Sequence, residues 1–184
     1  MNMTAVVQSW TAPRGAEAAR YELEAPDVNR RRLAGAWLLL AVIALIVSGL
    51  LSVLLVLSRA PYVKDYFPLV DFFHVALVVH VDLSVLVWFV AFGGVLWSLN
   101  SLPRWNAAGW LGLWLAACGA AIMSAAPFVG GGRPIMSNYI PVLDEPVFLV
   151  GLGIFALGTL VLVLRSMATV PRVGVRPDGA AALR

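Results

Sequence analysis

Both histidines of this chain, His74 and His80, fall with Asp82 in one apolar stretch, residues 69–100, which reads LVDFFHVALVVHVDLSVLVWFVAFGGVLWSLN. Such a stretch reads as a single membrane-crossing helix. Ionisable groups are costly in hydrocarbon, so there they mark an ion path, a proton relay or a cofactor site. His80 lies eleven residues in, roughly 16 Å below the helix start at 1.5 Å per residue. His74 stands six residues before it, about 240° around the helix and roughly 9 Å along it, so the two cannot ligate one metal or one heme together. Asp82 is about 200° around from His80, the wrong face for a carboxylate that orients the ring.

His80 shares its expected face with Leu77, Ser84, Val87 and Trp88, an apolar surface carrying one imidazole. That suits axial ligation of a heme, where a flat macrocycle needs a dry surface and one neutral nitrogen donor. It equally suits a histidine hydrogen-bonded to a neighbouring helix, and the residues alone leave both open. His74, three residues after Asp71 near the helix start, is expected to form an interfacial ion pair; the same two residues are what a quinol site near the membrane surface would use. Asp82 is expected to bond across helices, with proton transfer as the alternative. The sequence contains no Walker loop, nucleophile elbow or zinc-ligand spacing.

These residues need helices to position them, and composition says which kind. Of 184 residues 61% are hydrophobic and 12% charged, more apolar surface than a soluble domain can hide, which makes the chain an integral membrane protein. The length suits a few helices and no separate soluble catalytic domain. The single cysteine, Cys118, lies in an apolar run, which excludes a disulfide framework and a thiol metal cluster. The basic charge comes from arginines clustered at the ends, a topology signal with no nucleic-acid partner implied.

The expected architecture is an all-α bundle of four transmembrane helices spanning residues 30–167, between a disordered cytoplasmic tail (1–29) and a flexible cytoplasmic tail (168–184). Arg30, Arg31 and Arg32 open a first span at 33–58, where Gly35, Ser48, Gly49 and Ser52 suit close helix approach. The helix of His80 is the second span, residues 107–129 the third, and 147–164 the fourth. Small residues at 116–121 of the third span suit tight packing. Residues 130–146 read as the longest loop. Ten Lys and Arg residues fall in the two tails and the second loop, against three (Arg59, Lys64 and Arg133) in the other loops. The positive-inside rule then puts both termini in the cytoplasm and His80 in the outer half of a bacterial inner membrane.

Three features stand in an order that resembles a known family. The runs RRRLAGAWLLLAVIALIVSGLL (30–51), LVVHVDLSV (77–85) and MSNYIPVL (136–143) are similar, in order and spacing, to the first four helices of subunit I of heme–copper terminal oxidases. The resemblance covers roughly residues 30–165. The last of these runs resembles the family's Tyr-x-Pro-x-Leu segment between the third and fourth helices. Val81 follows His80 where the family usually carries glycine.

The resemblance implies that His80 is an axial ligand of a low-spin heme, of b type, working in electron transfer within a respiratory oxidase complex. It also implies that Arg133 and Tyr139 hydrogen-bond heme propionates, since arginine's forked donors suit carboxylates. With two histidines in all, the chain lacks the copper and high-spin heme ligands and cannot reduce oxygen alone. The second heme ligand is then expected from other oxidase subunits or from a second copy of the chain. The rival expectation is a heme-free membrane scaffold or assembly subunit in which His80 and Asp82 bond to neighbouring helices.

Overall fold

A computed structural model describes residues 27–63, 72–129, 132–135 and 140–170. Most of the two expected tails lies outside these residues. Helix α1 runs Val28–Arg59, and its start is fixed by Asp27, whose carboxylate accepts the Arg30 main-chain N–H at 2.9 Å. The same carboxylate receives Arg30 Nε at 2.8 Å. The three arginines expected to precede the helix therefore lie inside its first turns, because the cap sits at Asp27. The helix stops at Arg59 because Pro61 restricts the residue before it: Ala60 is extended, with φ −70° and ψ 137°.

The buried positions of α1 are Leu33, Ala34, Trp37, Leu40, Ala41, Ala44, Ser48, Leu51 and Leu55, a single stripe that recurs at steps of three and four. The opposite face, with Leu38, Leu39, Ile43, Ile46, Leu50 and Val53, is exposed yet wholly apolar. Four helices among the described residues are long and apolar enough to cross a membrane.

Helix α2 is Phe72–Leu99. It pairs antiparallel with α1. Its centre departs from the expected regular helix: Asp82–Val87 winds as a π-turn, with the Trp88 main-chain N–H reaching the Leu83 carbonyl five residues back. Helix α3, Asn106–Val129, and helix α4, Pro146–Ala168, form the second antiparallel pair. Glu145 caps α4 through the Phe148 N–H at 2.7 Å, with Pro146 at the first helical position, where its missing N–H costs nothing.

Glycines set the α3–α4 contact, as the small residues at 116–121 lead one to expect. A Cβ on Gly119 would lie 2.4 Å from the Phe155 main-chain nitrogen, and one on Gly158 2.5 Å from that of Ala116. The two backbones therefore touch directly. On α1 the expectation is met at Ser48 alone, because Gly35 and Gly49 face open space.

The segment read as a long loop contains a small antiparallel ribbon, β1 (Arg133–Ile135) with β2 (Val142–Asp144), pairing Arg133 with Asp144 and Pro134 with Leu143. Three-residue strands carry too little alternation to stand out in a sequence. They pair here because the glycine contact brings the end of α3 beside the start of α4, and Leu143 seals the ribbon onto the core, fully buried.

The same substitution should have opposite outcomes at two glycines. Gly119→Ala forces a methyl into main chain and should lower stability by about 1–3 kcal/mol, read as a lower melting midpoint in detergent. Gly153→Ala points into open space and should leave the midpoint unchanged or slightly raised.

At the start of α1, the Arg30 main-chain N–H holds the Asp27 carboxyl below its ordinary range. The cap should therefore be complete above about pH 4 and fade as the pH falls through that lowered value. Amide exchange at Arg30 should accelerate over that window in the wild type and be fast at all pH in Asp27→Ala.

Candidate functional site

His80 sits at the end of the regular first part of α2, one residue before the N-cap of the π-turn. Its ring is directed at α1. Nδ1 lies 2.8 Å from the Ser48 carbonyl oxygen and 2.9 Å from the Ser48 hydroxyl oxygen. A carbonyl oxygen only accepts, so Nδ1 carries the proton and donates. The Ser48 hydroxyl donates in turn to the His80 carbonyl at 2.9 Å, and Ser84 adds a second hydroxyl to that carbonyl at 2.8 Å.

In the neutral ring, Nε2 is left as a lone-pair donor, and among the described residues no hydrogen bond reaches it. The side chain is half-buried, whereas Ser48 is only 2% exposed. A main-chain carbonyl that fixes the tautomer of a histidine and leaves its second nitrogen free is the usual support of a metal-ligating imidazole. The same bond also ties two helices together.

The π-turn changes the expected face. A turn of this kind inserts one residue relative to an α-helix and rotates everything after it. Leu77, Ser84 and Trp88 are half-buried like His80, whereas Val87 is fully buried, so of the expected face only Val87 turns into the core. Ser84 turns back to the main chain, bonding His80 and Val81 carbonyls.

Asp82 corrects an expectation. It is 1% exposed, but neither carboxylate oxygen has a hydrogen-bond partner among the described residues, so it makes no bond to a neighbouring helix.

His74 packs edge-on against Phe73, with ring centroids 5.5 Å apart, while its expected partner Asp71 lies outside the described residues. Arg133 is exposed on β1, and the ribbon packs against Phe72–Val81, so Arg133 belongs to the same end of the bundle as His80. Tyr139 lies outside the described residues. Among those residues no three of His, Cys, Asp and Glu gather as a metal cluster.

Sequence reasoning placed Ser48 at a helix contact but missed its bond to His80 and the π-turn. The signal available was the run H-V-D-L-S, in which three polar side chains within five residues compete for main-chain partners.

Two bacterial proteins are similar to this chain. One, from Aquifex aeolicus, is 32% identical over 129 residues, covering 70% of this chain and 32% of its own length. The other, from Rickettsia prowazekii, is 30% identical over 151 residues, covering 69% of this chain and 29% of its own. Both are described only as uncharacterized proteins. The chain thus spans about a third of the length of the curated relatives it matches. No family model matches the chain, and no solved structure does.

Ring nitrogen-15 shifts of His80 should show Nδ1 protonated and Nε2 bare. Ser48→Ala keeps the carbonyl acceptor, so the pattern should persist while stability drops by about 0.6 kcal/mol, the mean for a hydrogen bond between membrane helices. A protonated Nε2 in the wild type would rule this arrangement out.

Proposed function

We propose that this chain is a subunit-I-like component of a respiratory heme–copper oxidase complex, contributing His80 as an axial ligand to a low-spin heme for electron transfer. The observation that carries the reading is the Nδ1 hydrogen bond to the Ser48 carbonyl at 2.8 Å. It leaves Nε2 as a neutral donor on a ring that cannot swivel without losing its partner. That is the donor chemistry an axial position requires. A bound heme of b type would supply one-electron chemistry, alternating between ferric and ferrous iron.

The chain's own residues do the rest. Ser48 and Ser84 hold the His80 carbonyl and, through it, the helix at the ligand position. In the proposed site, Arg133 and Tyr139 would hydrogen-bond the propionate carboxylates. Arginine's planar fork suits that role.

The excess of Lys and Arg on the tails and second loop supports an orientation with both termini in the cytoplasm, in a bacterial inner membrane. That puts His80 in the outer half. The other heme ligand, the copper ligands and the high-spin heme ligand must come from elsewhere, from other oxidase subunits or a second copy of the chain, because this sequence has no histidines to supply them. Catalysis of oxygen reduction would therefore belong to the complex. The relatives, about three times as long as the matched part, have room for further helices.

One observation favours a second reading. The His80–Ser48 pair also joins α1 to α2, which is what a heme-free scaffold or assembly subunit retaining the fold would need. The absorption spectrum of the purified protein, alone and with its co-purifying partners, separates the two. A b-type Soret band that disappears in His80→Ala, with the helical circular-dichroism signal intact, is the expected result. A colourless wild type in the intact complex would leave the scaffold, and His80→Ala would then show only a small loss of stability.

A further inference from the structure

Three unsatisfied polar side chains lie at the end of the bundle opposite the ribbon, where α1 and α3 begin and α2 and α4 finish. Arg165 is 3% exposed, and its Nη1 and Nη2 have no hydrogen-bond partner among the described residues. Trp37 Nε1 and Ser98 Oγ are in the same condition, with both residues fully buried. Their packing brings them within about one helical turn of each other along the bundle. A Cβ on Gly109 would lie 3.0 Å from Arg165 Nε and 2.6 Å from Leu33 Cδ2, so arginine and leucine cover the same glycine. Trp37 is one helical turn beyond Leu33, on the same face, and its indole lies over Gly94. Ser98 is one turn beyond Gly94 and so returns to the level of Leu33.

The arginine is anchored rather than adrift. Its Nε donates to the Trp105 carbonyl at 3.2 Å, and Trp105 holds a left-handed backbone, φ 57°, that presents that carbonyl. The remaining fork, with four N–H bonds, is free. Among the described residues no buried carboxylate can neutralise it: along α2 the rise from Asp82 to Ser98 is roughly 24 Å. The nearby acid, Asp27, is already paired with Arg30. A buried cation without a counter-charge is strongly unfavourable, so the site calls for an anion rich in acceptors.

We propose that Arg165, Trp37 and Ser98 form a binding site for a phosphate group at this end of the bundle. The guanidinium fork matches two oxygens of a phosphate, and the indole N–H and serine hydroxyl serve as further donors. Arg31 and Arg32, exposed at the same end, draw anions toward it. Arg165 lies three residues from the end of α4, the depth of lipid headgroups if α4 spans the bilayer, so the phosphate comes from a phospholipid or from solution. The site is independent of any heme.

The test uses the full chain in dodecyl maltoside, a detergent without phosphorus. One arm adds phosphatidylglycerol in mixed micelles, and the other adds sodium phosphate against sodium chloride at equal ionic strength. The melting midpoint and the tryptophan fluorescence are followed. In the wild type the midpoint should rise saturably with phosphatidylglycerol, with phosphate, or with both; response to the lipid alone assigns a headgroup, and response to both assigns a solvent-reachable phosphate site. Arg165→Gln should weaken the apparent affinity at least tenfold, Ser98→Ala less, and Arg59→Gln, at the other end of α1, should leave saturation intact. A wild type that responds to neither phosphate source, or Arg165→Gln and wild type with the same titration, overturns the proposal. If Arg165→Gln does not fold, Ser98→Ala and the wild-type titration still decide it.

Discussion

In a bundle whose outer surface is almost entirely apolar, a polar hydrogen left without an acceptor is costly, and the ring proton of His80 finds the Ser48 carbonyl. The bond sets much else. It places α2 against α1 about a third of the way along α2 and two thirds of the way along α1, at the one small polar position of the α1 stripe. It decides which ring nitrogen keeps a lone pair. It also recruits the Ser48 hydroxyl, which returns a hydrogen bond to the His80 carbonyl, so each residue is both donor and acceptor for the other. A side-chain pair of this kind holds register along a helix interface where Leu, Ala and Val alone would allow sliding.

The other pair of helices is joined by a different principle. Between α3 and α4 the backbones meet through glycines, with no polar bridge at their point of contact. Dispersion at short range does there what the histidine and serine do between α1 and α2. The ribbon then follows from that close approach. Its residues have no core of their own beyond Leu143, and they pair because the helices deliver both strands to the same place.

Most of the helical framework was legible in the sequence because long uncharged runs leave few alternatives. The four spans fall within a few residues of where hydropathy puts them, and the largest shift has a cause: α1 begins at Val28, before the arginines, because Asp27 can cap it. The small residues at 116–121 announced the α3–α4 contact. The site was less legible. A helical wheel assumes 3.6 residues per turn throughout, and the π-turn at Asp82–Val87 breaks that assumption immediately after the residue of interest. The face assigned to His80 therefore holds at Leu77, Ser84 and Trp88 and fails at Val87. Only packing against Gly109 and Leu33 shows that Arg165, one residue past the expected fourth span, is buried.

His80 is held at two places. Its ring donates to the Ser48 carbonyl, and its own carbonyl takes two serine hydroxyls, one from α1 and one from α2 itself. The polar run H-V-D-L-S thus supplies both the ring and the means of fixing the main chain beneath it. A π-turn costs helix regularity and persists where something else is gained. Here the gain is an imidazole anchored at its ring and at its carbonyl, in a helix that offers few other polar contacts. Its free nitrogen is thereby pre-oriented, whatever that nitrogen binds.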